Sequence, residues 1–92
     1  MSEFRIEVSA TAEKQLRKLQ KSAQLSMVKA IKSLASQPRP RGSRRLQGYD
    51  DVYRIRTGRY RIIYSIEDRR LLIIVLKIGH RKDVYRQRVT AD

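Results

Sequence analysis

Four arginines alternate through one short stretch, Tyr53-Arg54-Ile55-Arg56-Thr57-Gly58-Arg59-Tyr60-Arg61-Ile62. Side chains on a strand point to opposite faces in turn. With Thr57-Gly58 as a two-residue turn, Arg56 is expected opposite Arg59, and Arg54 opposite Arg61. All four guanidinium groups then share one face, and Tyr53, Ile55, Tyr60 and Ile62 share the other. Like charges directly across a strand pair destabilise a sheet, and a polyanion bound to that face would offset the repulsion. Cleavage of an RNA phosphodiester suits such residues. The 2′-hydroxyl attacks the adjacent phosphate, and negative charge builds on oxygens that preorganised donors can stabilise, each donor typically worth about 100-fold or more in rate. Arginine stays protonated in proteins and is a poor general base, so the proton acceptor is left unassigned by this pattern.

Other catalytic sets are scarce. The nine carboxylates are Glu3, Glu7, Glu13, Asp50, Asp51, Glu67, Asp68, Asp83 and Asp92, and their adjacent pairs fall in expected turns. His80 is the one histidine, so a two-histidine ribonuclease mechanism is not available. No Gly-rich phosphate loop, nucleophile elbow or metal-ligand spacing is present. No metal or other cofactor is therefore expected. Cysteine is absent, which removes thiolate sites and disulfides. The net charge of +13 is far beyond what solubility needs and points to a phosphate-rich partner.

The elements that position these residues can be read from periodicity. Apolar content of 40% with 34% charge in 92 residues fits one globular domain, residues 1–92, rather than a disordered chain. The longest apolar run, Leu71 to Leu76, is too short to span a bilayer, and Met1 to Arg5 lacks the apolar stretch of a signal peptide. A cytoplasmic protein without a membrane partner is the simplest expectation. Residues 3–8 alternate as a half-buried strand. Ser9 or Thr11 is expected to cap a helix with the stripe Ala12, Leu16 and Leu19, and Ser22 a second helix with the stripe Met27, Ala30, Ile31 and Leu34. Pro38 and Pro40 stop that helix. Residues 37–45 read as an exposed basic loop, and Gly48 as a turn. A hairpin follows, its second strand near 59–66, and then an apolar central strand over 71–78. The expected fold is α+β: an N-terminal strand, a two-helix hairpin on one face, then a three-stranded antiparallel meander.

Leu46-Gln-Gly48, Val52-Tyr-Arg-Ile-Arg56, Gly58-Arg-Tyr-Arg-Ile-Ile-Tyr64 and Gly79-His-Arg-Lys-Asp-Val-Tyr85 together resemble the RelE branch of the RelE/ParE toxins. The preceding strand and helix pair fit the same pattern, so the resemblance covers nearly the whole chain. It implies a RelE-like fold and a ribosome-dependent endoribonuclease that cleaves mRNA in the ribosomal A site and is neutralised by a cognate antitoxin. Carried over by position, Arg54 and Arg56 stand where the family pattern has lysines, the first of them proposed as general base. Arg61 matches the phosphate-stabilising arginine, Arg81 the arginine proposed as general acid, and Tyr85 the tyrosine that stacks on a base. Arg39, Arg41, Arg44, Arg45, Arg59, Lys77 and His80 complete the expected RNA-binding set. Ribosome and mRNA are the expected partners, and contact with operator DNA is expected only through the antitoxin complex. The same fold could instead carry a ParE-like inhibitor of DNA gyrase that acts by binding without cutting RNA.

Overall fold

The computed structural model describes residues 3–80. Strand β1, Arg5–Val8, leads into helix α1, Ala10–Arg17, and helix α2, Lys21–Ser33. The chain continues through β2, Arg44–Arg45, β3, Val52–Thr57, β4, Tyr60–Glu67, and β5, Leu72–His80, with one 3₁₀ turn at Asp68–Arg70. The five strands form one sheet in the order β1-β5-β4-β3-β2. The expected meander is present as β3-β4-β5, all antiparallel, while β1 joins β5 in parallel.

Local chemistry accounts for the joints. Ser9 ends β1 and caps α1, its hydroxyl accepting from the Ala12 backbone N–H (3.0 Å) and donating to the Leu76 carbonyl (2.9 Å). One side chain thus ties the helix start to β5. The second helix begins earlier than expected. Its N-cap is Gln20, with no side-chain cap bond, and Ser22 lies inside the first turn. Gln24 closes the tight link between the helices from the other side, its side-chain amide donating to the carbonyls of Arg17 (3.1 Å) and Leu19 (2.9 Å) that α1 leaves behind.

Both helical stripes pack on one face of the sheet. Ala12, Met27, Ile31 and Leu34 meet Ile55, Ile62, Tyr64, Ile66, Ile73, Val75 and Ile78 in the main core. Strict alternation would send Val75 and Ile78 to opposite faces. A bulge between β4 and β5 resolves this, because Ile63 pairs with Lys77 whereas Tyr64 pairs with Val75. Leu76 is left to join Val52, Ile63, Leu46 and Tyr49 in a small cluster on the opposite face.

Two expectations are corrected. The hairpin turns at Gly58-Arg59 rather than Thr57-Gly58, so Arg56 pairs with Arg61 and Arg54 with Ile63. Gly58 has φ +61 and Arg59 no positive φ, the pattern of a type II′ turn with glycine at its first central position. The register moves by two residues, so every side chain keeps its face while Arg59 moves into the turn. In addition, Arg44-Arg45, expected in a loop, is a two-residue edge strand with Arg44 opposite Arg54 and Arg45 opposite Tyr53.

Candidate functional site

The face of the sheet away from the helices carries the cations. Reading across the strands, one row holds Arg44, Arg54, Ile63 and Lys77, and the next holds Arg56, Arg61 and Gly79. Pairs of like charge therefore stand directly opposite at Arg44/Arg54 and at Arg56/Arg61, a register that is unfavourable taken alone and that concentrates positive charge on this face. Arg54 is 7% exposed and Lys77 5%. Arg61 is half-buried and Arg56 is exposed. Guanidinium groups so constrained lose little freedom on meeting a phosphate, which favours preorganised anion binding.

At the β2 side of this face a cleft of about 260 Å³ opens between the sheet and the loop that precedes β2. Its lining is Arg41, Gly42, Arg44, Arg54 and Arg56. Among the described residues no carboxylate takes part in that lining. The loop is shaped by a bond from the Ser43 N–H to the Pro40 carbonyl (2.9 Å) and by Gly42 at φ +90. Glycine is required at that angle because an L side chain there is strained.

The same loop is braced on the helix side of the sheet, by residues that no local sequence signal joins. The Tyr64 hydroxyl donates to the Pro38 carbonyl (2.7 Å). Arg39 makes a two-pronged contact with Asp68 (2.8 and 3.2 Å), and its Nε donates to the Tyr53 hydroxyl (3.1 Å). Its guanidinium also lies 5.1 Å from the Tyr53 ring centre, and Tyr53 stacks on Tyr64 at 6.1 Å. The hydrogen bond from Arg39 holds the Asp68 carboxyl below its ordinary value, and the same bond raises Arg39 further. Burial pushes the Tyr64 hydroxyl up to about 12, with Arg39 and Ser43 pulling more weakly the other way.

The expected site residues divide accordingly. Arg54, Arg56 and Arg61 share the cationic face with Arg44 and Lys77, and Arg41 reaches the same cleft from the loop. Arg45 pairs with Tyr53 and so belongs to the helix side, as does Arg39. Arg59 occupies the exposed hairpin turn. His80 pairs with Tyr60 on the helix-side face, its ring edge-on to Tyr60 at 6.1 Å, away from the arginines. Arg81 and Tyr85 lie outside the described residues. Among the described residues no cluster of His, Cys, Asp or Glu could hold a metal ion, and no helix is long and apolar enough to cross a membrane.

Comparison with known proteins agrees with this fold. Residues 6–85 match the family model described as the ParE toxin of the type II toxin–antitoxin system parDE. A Methanocaldococcus jannaschii protein bearing the name toxin RelE1 is 33% identical over 88 residues, covering 90% of this chain and 96% of that protein. Toxin RelG of Mycobacterium tuberculosis is 27% identical over 91% of this chain and 98% of its own. Among solved structures, an archaeal RelE–RelB complex from Pyrococcus horikoshii has a chain that superposes with a TM-score of 0.78 at 30% identity, covering 90% of this chain and 99% of that one.

Proposed function

The chain belongs to the RelE/ParE superfamily of toxins of type II toxin–antitoxin systems, and on that premise we propose that it is a ribosome-dependent endoribonuclease that cleaves mRNA in the ribosomal A site. The observation that carries this reading is the register of the cationic face, with Arg56 directly opposite Arg61 and Arg54 beside them in the next row. Attack of the 2′-hydroxyl on the phosphate places charge on the non-bridging oxygens, and these arginines supply donors for it. They contribute charge stabilisation and orientation rather than proton uptake, since guanidinium keeps its proton. Arg81, in the position of the family's general acid, is proposed to steady the leaving 5′-oxygen by a charged hydrogen bond while water takes the 2′-hydroxyl proton and returns one to that oxygen. Tyr85 as a stacking platform completes the proposed set. Lys77 and the loop arginines add phosphate contacts that the ribosomal complex would use.

The solved neighbour from Pyrococcus is a toxin–antitoxin complex, and a cognate antitoxin is the protein partner we propose here. A net charge of +13 favours an acidic or amphipathic chain for that role.

The test is cleavage of translated mRNA by the purified protein with programmed ribosomes. Wild type should cut within the A-site codon, and Arg61→Ala should reduce kcat by about 100-fold. Unchanged kcat in both Arg56→Ala and Arg61→Ala would refute the residue assignments. One observation favours a second reading, a ParE-like inhibitor of DNA gyrase, because the matching family model is that of ParE toxins. Inhibition of supercoiling at concentrations that leave mRNA intact would select it.

A further inference from the structure

The cleft between the 37–43 loop and the cationic face extends beyond the group of arginines that the proposed chemistry needs. Its volume of about 260 Å³ falls below the roughly 300–1,000 Å³ of sites for whole small molecules. It is sized for a fragment, such as one phosphodiester with part of its ribose. Among the described residues, Arg41, Arg44, Arg54 and Arg56 present side-chain donors to it beside Gly42. Arg61 does not line it. Arg44 on β2 and Arg61 on β4 are separated by two strand spacings, roughly 10 Å, and lie in different rows of the sheet. One phosphate group does not span that distance.

The cleft is also preformed. The loop wall is pinned from the other side of the sheet through Pro38 to Tyr64 and through Arg39 to Asp68 and Tyr53. The backbone that carries Arg41 is thus ordered on folding, which lowers the cost of closing the cleft on an anion.

We propose that this cleft is a subsite for a second RNA phosphodiester, distinct from the one cleaved, held by Arg41, Arg44 and Arg54. The subsite sets the affinity and register of the RNA rather than the chemical step. The inference rests on the RNA-cleavage reading for the identity of its ligand. Guanidinium forks match phosphate oxygens in pairs, and Arg54 and Arg56, which line the cleft, also stand on the face proposed for the scissile phosphate.

The experiment uses ribosomes programmed with mRNAs in which single non-scissile phosphates near the A-site codon are replaced by neutral methylphosphonates. Arg41→Ala and Arg44→Ala should each raise KM by about tenfold, the scale of one charged hydrogen bond, with kcat within about twofold. The slope of log KM against log salt should fall by about one per arginine. At one methylphosphonate position wild type should show the same rise, and the double variant should show no additional one. If wild type tolerates every substitution while the variants still lose affinity, ribosomal RNA supplies the phosphate and the subsite stands. Wild-type KM in both variants overturns it, as does loss of kcat at constant KM. Variants that cleave normally but bind the antitoxin weakly would also overturn it and assign the cleft to an acidic peptide. If wild type cuts no mRNA, the RNA-cleavage reading fails by itself, and titration of the free protein with inorganic pyrophosphate decides the anion site. Shifts of the arginine Nε–H resonances at Arg41, Arg44 and Arg54, with Arg61 still, support it. No shift at those positions overturns it.

Discussion

Replacing Tyr64 with phenylalanine should make the protein less stable at neutral pH and more stable than wild type in strong alkali. Tyr64 is 0% exposed, and its hydroxyl donates to the Pro38 carbonyl at 2.7 Å. Tyr64→Phe removes that bond and leaves a partly buried carbonyl short of a donor, at a cost of about 1–2 kcal/mol. The alkaline side follows from the phenol itself, which burial raises from 10.0 to about 12. A group whose folded pKa lies above its unfolded value contributes stability that is complete below the unfolded value and is lost as pH rises. The unfolded chain therefore ionises first. Wild type should lose little at pH 10, about 1 kcal/mol by pH 11 and about 2 kcal/mol by pH 12 from this one group. Tyr64→Phe has no such loss, so the two stabilities should cross near pH 11. Urea midpoints followed by circular dichroism, from pH 8 to 12, measure the difference, and the other tyrosines and lysines cancel in it. A difference that stays constant across this range would refute the argument, because the hydroxyl would then not be titrating from a buried position. The same substitution frees Pro38 and should raise KM for mRNA cleavage while leaving kcat unchanged.

Three further perturbations examine other joints. The Asp68 carboxyl is held below its ordinary value by Arg39, so the contribution of this pair is complete above the unfolded value near 4 and lost as pH falls through the lowered folded one. Asp68→Asn should match wild type in acid and be less stable near neutrality, by an amount that added salt reduces; urea midpoints from pH 2 to 7 report it. Ser9→Ala removes both the cap on Ala12 and the bond to Leu76 and should cost about 1–2 kcal/mol in chemical denaturation. Gly58→Ala places a side chain at φ +61, which should destabilise by about 1 kcal/mol and lower activity through the hairpin that carries Arg56 and Arg61.

The sequence revealed the faces of the sheet more surely than its pairings. Alternation alone placed Arg54, Arg56 and Arg61 together, and a two-residue change in register preserved that outcome because side-chain direction has period two. The turn was misplaced because Thr57-Gly58 and Gly58-Arg59 both offer a glycine, and only the φ of Gly58 shows which central position it takes. The helical stripes through Leu16 and Leu34 were legible for the same periodic reason. Long-range contacts were not. Arg39 reads in the sequence as one more RNA-binding cation of a basic loop, whereas it pairs with Asp68, 29 residues away. Lys77 reads in the sequence as an RNA contact, but its burial is not legible there: the bulge beside it brings it into the row of Arg54 at 5% exposure. Neither the bulge nor the brace leaves a local trace in composition.

The central claim is that the paired arginines cut mRNA on the ribosome. Primer extension on mRNA recovered from translating ribosomes, after brief exposure to wild type or Arg61→Ala, tests it most directly. The account predicts new 5′ ends within A-site codons for wild type and about 100-fold fewer for the variant. Intact mRNA under wild-type toxin, with gyrase supercoiling inhibited at the same concentration, would contradict it.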